Sequence, residues 1–232
     1  MEKFVIEGGR RLKGEVCISG AKNSVLPILA ASIMGKGKSI IHNVPVLQDV
    51  ETMIRILEYL GAKVIFNNHI LEIDPSGINR YDAPYEFVKT MRASISLLGP
   101  IVATQSRAKF SLPGGCVIGP RPIDLHMKGL QRLGVDVKIE DGYVIAEIKN
   151  RLRGNHIFLG GLFGSSVLAT ANVMCAAVLA KGTTFIEFAA CEPEVIDLAN
   201  FLVQMGAKIK GIGSPCLTIE GVKKLNGTEY TV

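Results

Sequence analysis

Leu47–Ile73 reads LQDVETMIRILEYLGAKVIFNNHILEI, and this stretch decides the fold. Val50, Ile54 and Leu57 recur at three- and four-residue spacing, as in an amphipathic helix. Gly61 follows, a residue that takes the left-handed conformation closing a helix at little cost. AKVIF and ILEI then alternate as half-buried strands do, with Asn67-Asn68 as the turn between them. The same order recurs twice, in PIDLHMKGLQRLGVDVKIEDGYVIAEI from Pro122 and in EVIDLANFLVQMGAKIKGIGSPCLTIEGV from Glu194. The helix-closing glycines are Gly61, Gly134 and Gly206, spaced 73 and 72 residues apart. In the second copy Asp141-Gly142 supplies the hairpin turn.

Three more apolar helices lie between these units, over residues Asn23–Met34, Glu86–Thr104 and Ser165–Leu179. Each runs into a short strand: KSIIHNV, AKFSLPG and TTFIEFA. The unit is therefore helix, strand, helix, strand, strand, repeated three times at about 72 residues. No single unit can bury its apolar faces, so the three must pack around shared helices. SSVLATANVMCAAVLA is apolar nearly all round, which places such helices inside and the sheets outside. The expected fold is one α+β domain from residue 20 to 230. Residues 1–19 fall outside the triplet. They read as two strands, FVIEG and GEVCIS, expected to belong to a second domain. Thr228–Val232 is strand-like and stops without a polar tail, so the chain is expected to continue.

Composition narrows the function. A chain of 232 residues with 48% hydrophobic and 20% charged residues buries a real core and is not disordered. Without tryptophan and with 6% aromatics, that core is aliphatic. The net charge of +5 is scattered, which argues against a nucleic-acid surface and suits an anionic small substrate. Five cysteines, an odd number without CxxC spacing, form neither a metal site nor a disulfide framework. Reduced thiols in a cytosol fit best. There is no apolar signal core at the start and no run of about 18 apolar residues, so the expectation is a soluble cytoplasmic protein with no membrane partner.

The residues able to do chemistry cluster in a few turns. Ser111–Asp124, SLPGGCVIGPRPID, holds Cys116 among glycines and Arg121 between two prolines. Such a segment is a shaped loop. A nearby arginine raises the thiolate fraction of a cysteine. The plain alternative is a surface turn with an inert thiol. SGAKNS puts Lys22 and Asn23 at a helix N-terminus, where free N–H groups favour phosphate or carboxylate, unless Asn23 or Ser19 is only a cap. Arg92 sits in an otherwise apolar helix, VKTMRASISLLGPIVA. It either faces a cleft, gripping an anion bidentately, or closes a salt bridge at the helix end. His126 follows Asp124 by two residues and suits a supporting position. Gly160–Ser166, GGLFGSS, opens a helix and can cradle a diphosphate through backbone N–H groups. It is neither a Walker A motif nor GxGxxG. Taken together, these turns suit a doubly anionic substrate pair and covalent or acid–base use of one thiol.

SGAKNSVLPILAASI, VPVLQDV, KTMRASISLLGP, LPGGCVIGPRPIDLH and CEPEVIDLANFLVQMGAKI, in that order, resemble the enolpyruvyl transferases from Met1 to Val232. The closest resemblance is to the branch acting on UDP-N-acetylglucosamine. It implies an inside-out barrel of six helix–strand units in two domains, three of them present here, with a missing C-terminal domain to complete the cleft. It also implies transfer of enolpyruvyl from phosphoenolpyruvate to the 3-hydroxyl of UDP-N-acetylglucosamine. Phosphate is released, at the first committed step of peptidoglycan synthesis, with no cofactor and no metal. By resemblance, Cys116 is the proton donor and the target of fosfomycin, and Lys22 and Arg121 hold the phosphoenolpyruvate anion. Asn23 and Arg92 contact the sugar nucleotide. Arg121, Pro122, Ile123, Asp124 and Leu125 line the nucleotide side, and Ser165, Ser166 and Val167 meet the diphosphate. The family pattern SVGAT departs here to GGLFGSSVLAT, with an apparent insertion and Leu168 in place of glycine. Two other classes stand beside this one: a non-catalytic nucleotide-sugar-binding module of the same fold, and a thiol-redox protein. A shikimate 3-phosphate enzyme would lack the cysteine loop.

Overall fold

The computed structural model describes residues 3–83, 85–88, 91–112 and 122–232. Cys116 and Arg121 lie outside the described residues. In the first repeat, α1 (Lys22–Ser32) leads through β1 (Gly35–Lys36) and β2 (Ser39–His42) to α2 (Gln48–Leu60) and the hairpin β3 (Lys63–Asn67)–β4 (Ile70–Asp74). In the second, β5 (Asp82–Ala83) precedes α3 (Tyr85–Val88), a 3₁₀ segment (Arg92–Leu97) and α4 (Leu98–Gln105). Then come β6 (Arg107–Ser111), α5 (Asp124–Arg132), β7 (Asp136–Glu140) and β8 (Tyr143–Glu147). The third runs β9 (His156–Phe158), α6 (Val167–Ala177), β10 (Thr183–Glu187), α7 (Pro193–Gln204), β11 (Lys208–Lys210) and β12 (Cys216–Glu220). β13 (Leu225–Asn226) and β14 (Glu229–Thr231) follow.

Local chemistry explains the boundaries. Gly61, Gly134 and Gly206 sit at φ of 107°, 93° and 107°, just past α2, α5 and α7. Asp141 and Gly142 both have positive φ and form the turn of the second hairpin. In the first hairpin the turn falls one residue later than expected, on Asn68 and His69, with Asn67 paired to Ile70. Two bonds hold His69 there: its Nδ1–H donates to the Val44 carbonyl at 2.9 Å, and its own carbonyl accepts from the Val44 N–H. The helix expected over Glu86–Thr104 is broken into α3, the 3₁₀ segment and α4. Pro100 accounts for the restart, because a residue without an N–H is tolerated only in the first turn of a helix.

The three larger sheets share one strand order: β14-β2-β4-β3, β5-β6-β8-β7 and β9-β10-β12-β11. In each, the first strand is a short parallel edge and the other pairings are antiparallel. These edge strands begin at residues 82, 156 and 229, once per repeat. The first sheet takes its edge from β14, so the last strand of the chain closes the ring of repeats beside the first helix. Gly20 is bonded to Asn43 and Val232 to His42, at adjoining points of that edge.

Beneath the sheets, α4 packs on α6, and α1 packs on α7 and on the 3₁₀ segment. A Cβ on Gly99 would fall on the Asn172 backbone, and one on Gly129 would fall on Val173, so glycine sets how closely these helices approach. Residues 3–19 form no helix or strand, and every side chain in them is exposed. The two strands expected there are not formed in this chain. A strand needs partners for its N–H and C=O groups, and a lone pair of short strands is marginal in water. Among the described residues, no helix is long and apolar enough to cross a membrane.

Candidate functional site

The helices open onto two adjoining cavities at one end of the bundle. The first, of about 360 Å³, is lined by Lys22 and Asn23 from the start of α1 and Asp49 from the start of α2. Arg92 from the start of the 3₁₀ segment, Val167 and Leu168 from the start of α6, and Glu194 from the start of α7 also line it. The second, of about 560 Å³, shares Arg92, Val167 and Leu168 and adds Asp124 and Leu125 from the start of α5, with Pro122, His126, Ser165 and Ser166. Helix N-termini carry unsatisfied N–H groups and the positive end of the dipole, so their convergence makes this end of the molecule attractive to anions.

Capping reinforces that field. α1, α2, α5 and α7 have no side-chain cap among the described residues, whereas Ser166 Oγ caps α6 by accepting from the Ala169 N–H at 3.3 Å. Pro27, inside α1, lacks an N–H and so deprives the Asn23 carbonyl of its usual helical partner beside the first cavity. Lys22 Nζ lies 3.0 Å from Asp49 Oδ2, with both side chains partly exposed. That pair is weak in water and leaves the ammonium available to a stronger anion.

Near Arg92 lies a buried polar network. His126 is 1% exposed. Asn172 of α6 donates from Nδ2 to the Ile95 carbonyl and to His126 Nδ1, both at 2.9 Å, and its Oδ1 accepts from the Gly99 N–H at 2.6 Å. An accepting Nδ1 places the imidazole proton on Nε2. Burial, and then the nearby Arg92 charge, lower the His126 pKa to about 4, so the ring is neutral at physiological pH. Cys175, in the middle of α6, shows the opposite outcome for a thiol: burial pushes it up to about 12 and makes it inert.

The structure brings together Lys22, Asn23, Arg92, Pro122, Asp124, Leu125, Ser165, Ser166 and Val167. Ile123 is the exception among the described residues, because its side chain is buried in the core. The GGLFGSS turn differs from the expected open cradle. Gly161 and Gly164 bond reciprocally at 3.0 and 3.1 Å, so their N–H groups are used within the turn. Asp49, Glu194, Leu162 and Phe163 also line the cavities and were not singled out from the sequence, and Leu168, noted there only as a departure from the family pattern, lines both. In sequence, Asp49 and Glu194 look like ordinary first-turn acids of amphipathic helices.

The family model described as EPSP synthase (3-phosphoshikimate 1-carboxyvinyltransferase) matches residues 6–232. A UDP-N-acetylglucosamine 1-carboxyvinyltransferase of Methylacidiphilum infernorum is 55% identical over 232 residues, covering 100% of this chain and 55% of the relative. One of Escherichia fergusonii is 53% identical, with 100% and 54% covered. The chain thus spans about half the length of the curated relatives it matches. Among solved structures, the enolpyruvyl transferase NikO from Streptomyces tendae aligns with a TM-score of 0.82 at 24% identity, over 97% of this chain and 53% of that one. An EPSP synthase from Acinetobacter baumannii aligns at 0.73 and 18% identity, over 94% and 49%. Both likenesses concern the fold.

Proposed function

This chain belongs to the EPSP synthase (3-phosphoshikimate 1-carboxyvinyltransferase) family, and we propose that it forms half of an enzyme moving enolpyruvyl from phosphoenolpyruvate to the 3-hydroxyl of UDP-N-acetylglucosamine. The supporting observation is the convergence of helix N-termini, Lys22 and Arg92 on two joined cavities. Identity of 55% and 53% to relatives bearing that substrate in their names favours it over shikimate 3-phosphate. The product would feed peptidoglycan synthesis in the cytoplasm.

The chemistry divides into addition and elimination. In the addition, the sugar hydroxyl gives its proton to a base in the rest of the full-length protein, its oxygen bonds to C2 of phosphoenolpyruvate and the methylene carbon takes up a proton, giving a tetrahedral ketal. In the elimination, the C2–O bond to phosphate breaks and the new methyl group loses a proton. Cys116 supplies the first proton and is the thiol that fosfomycin would alkylate. Lys22 and Arg121 hold the phosphate and carboxylate of phosphoenolpyruvate and stabilise the leaving charge. Asn23 and Arg92 orient the sugar and diphosphate. Pro122, Asp124 and Leu125, with Ser165, Ser166 and Val167, form the nucleotide wall. A further domain, corresponding to the rest of the relatives' length, closes the cleft, and residues 1–19 pair with it as strands.

Phosphate release tests this function. The full-length protein should release phosphate from phosphoenolpyruvate only when UDP-N-acetylglucosamine is present, and the 232-residue chain alone should not. Equal release with shikimate 3-phosphate as acceptor would overturn the assignment.

A further inference from the structure

At the end of the bundle opposite the cleft, where α1 and α6 finish, four short loops lock together. The turn after α6 meets the connector between β8 and β9: Arg153 and Lys181 bridge in parallel, and the Gly154 N–H donates to the Lys181 carbonyl at 2.8 Å. The same turn meets the next connector, where the Gly221 N–H donates to the Gly182 carbonyl at 2.9 Å. That connector runs into β13, which pairs with β1 and sets Asn226 beside Lys36. A Cβ on Gly221 would fall on the Ala180 carbonyl, and one on Gly227 on the Lys38 carbonyl, so only glycine lets the loops meet this closely.

What these loops present is basic. Lys36, Arg151, Arg153, Lys181, Lys223 and Lys224 are exposed, and among the described residues their side chains have no ion pair or hydrogen bond. Carboxylates on the flanking strands are taken: Glu220 by Lys208, Asp136 by Lys149 and Glu72 by Lys38. Helix C-termini attract cations, which accounts for Lys36 and Lys181. It does not account for Arg151, Arg153, Lys223 and Lys224, which lie in connectors between repeats. Like charges gathered on interlocked loops repel one another, and nothing inside the fold offsets that cost. The six are spread from residue 36 to residue 224, so their grouping is invisible along the chain.

We propose that this basic plate docks the protein on an anionic phospholipid surface. A nucleic acid calls for aromatic platforms or a groove, and a folded protein partner for an apolar anchor. These loops contain no aromatic residue, and their Leu152 and Leu225 are buried. A headgroup layer needs no matching shape, because charge alone draws a polybasic surface to it. Docking of this kind needs no membrane-crossing helix, and it replaces the expectation of no membrane partner drawn from the sequence. The 11-residue α1 sets the plate about 16 Å from the cleft, which stays open to substrates.

In co-sedimentation, the full-length protein should bind vesicles of mixed phosphatidylcholine and phosphatidylglycerol but not of phosphatidylcholine alone, and added salt should release it. Combining Arg151→Gln, Arg153→Gln, Lys223→Gln and Lys224→Gln should weaken binding about fivefold for each charge removed, with Tm unchanged. Lys223→Gln with Lys224→Gln gives the same reading at two charges if the fourfold variant folds poorly. Failure of the wild type to bind the anionic vesicles would overturn the proposal. So would binding that survives these substitutions but is lost in Arg10→Gln, Arg11→Gln, Lys13→Gln, because the N-terminal segment would then be responsible. Binding to duplex DNA or RNA in place of the vesicles would also overturn it.

Discussion

Two polar regions lie within one helix bundle and behave oppositely. The Asn172–His126 network is buried and neutral, with every Asn172 amide group bonded. The cleft around Lys22, Asp49 and Arg92 is open, charged and loosely paired. The difference lies in burial: Asn172 sits in the middle of α6, and His126, although in the first turn of α5, is turned into the core. In the middle of α6, backbone groups are already satisfied, so a polar side chain must find side-chain or loop partners or cost stability. At the helix starts, the backbone is itself unsatisfied, and charged side chains remain hydrated beside it. The contrast teaches that stability and chemistry are separable here: substitutions in the network should unfold the protein, and those in the cleft should disarm it.

The largest expected effect falls on turnover. Cys116→Ala in the full-length protein should lower the rate about 10²–10⁴-fold, as loss of a general acid does, with UDP-N-acetylglucosamine affinity and Tm nearly unchanged. Cys116→Asp should retain activity and resist fosfomycin. Undiminished turnover in Cys116→Ala would refute the proton-donor role. Next is Asn172→Leu, which strands the Gly99 N–H, the Ile95 carbonyl and His126 Nδ1. We expect a loss of about 4 kcal/mol, read by urea unfolding. A loss below about 1 kcal/mol would mean that the network contributes little.

A smaller effect is pH-dependent. The folded His126 pKa, about 4, lies below its ordinary 6.5, so the unfolded chain binds the extra proton first. The contribution of the neutral ring is complete above about 6.5 and is lost as pH falls toward 4, up to about 3 kcal/mol. Comparing unfolding of the wild type and His126→Gln across that window isolates it, and parallel curves would contradict the buried environment. Smallest is the cleft pair. Asp49→Ala should shift stability by less than about 1 kcal/mol, because both partners are partly exposed. A larger loss would blur the contrast between the two regions.

Much of this was legible in the residues. Periodicity marked the amphipathic helices, and the glycines at 61, 134 and 206 marked their ends, all at positive φ. The short parallel edges β5 and β9 escaped notice, and Thr228–Val232 was read as strand-like without its place at a sheet edge. Two or three residues show no alternation, and such strands exist only because a neighbour supplies hydrogen bonds. The break before α4 was signalled by Pro100 but hidden by an unbroken apolar run. Lys22 and Asn23 stood out because a helix N-terminus favours anions, and Arg92 because a charge within an apolar helix needs a reason. Asp49, Glu194 and Phe163 did not, since each is ordinary in its own element.

Local interactions act within a few residues, and these were enough to dictate helices, hairpins, their order and the threefold repeat. Closure of the ring by β14, the depth of His126 and the meeting of helix starts from all three repeats depend on contacts between residues far apart in the chain. Those contacts arise when helices apolar on every side bury one another, and no spacing along the chain records which neighbour each one finds.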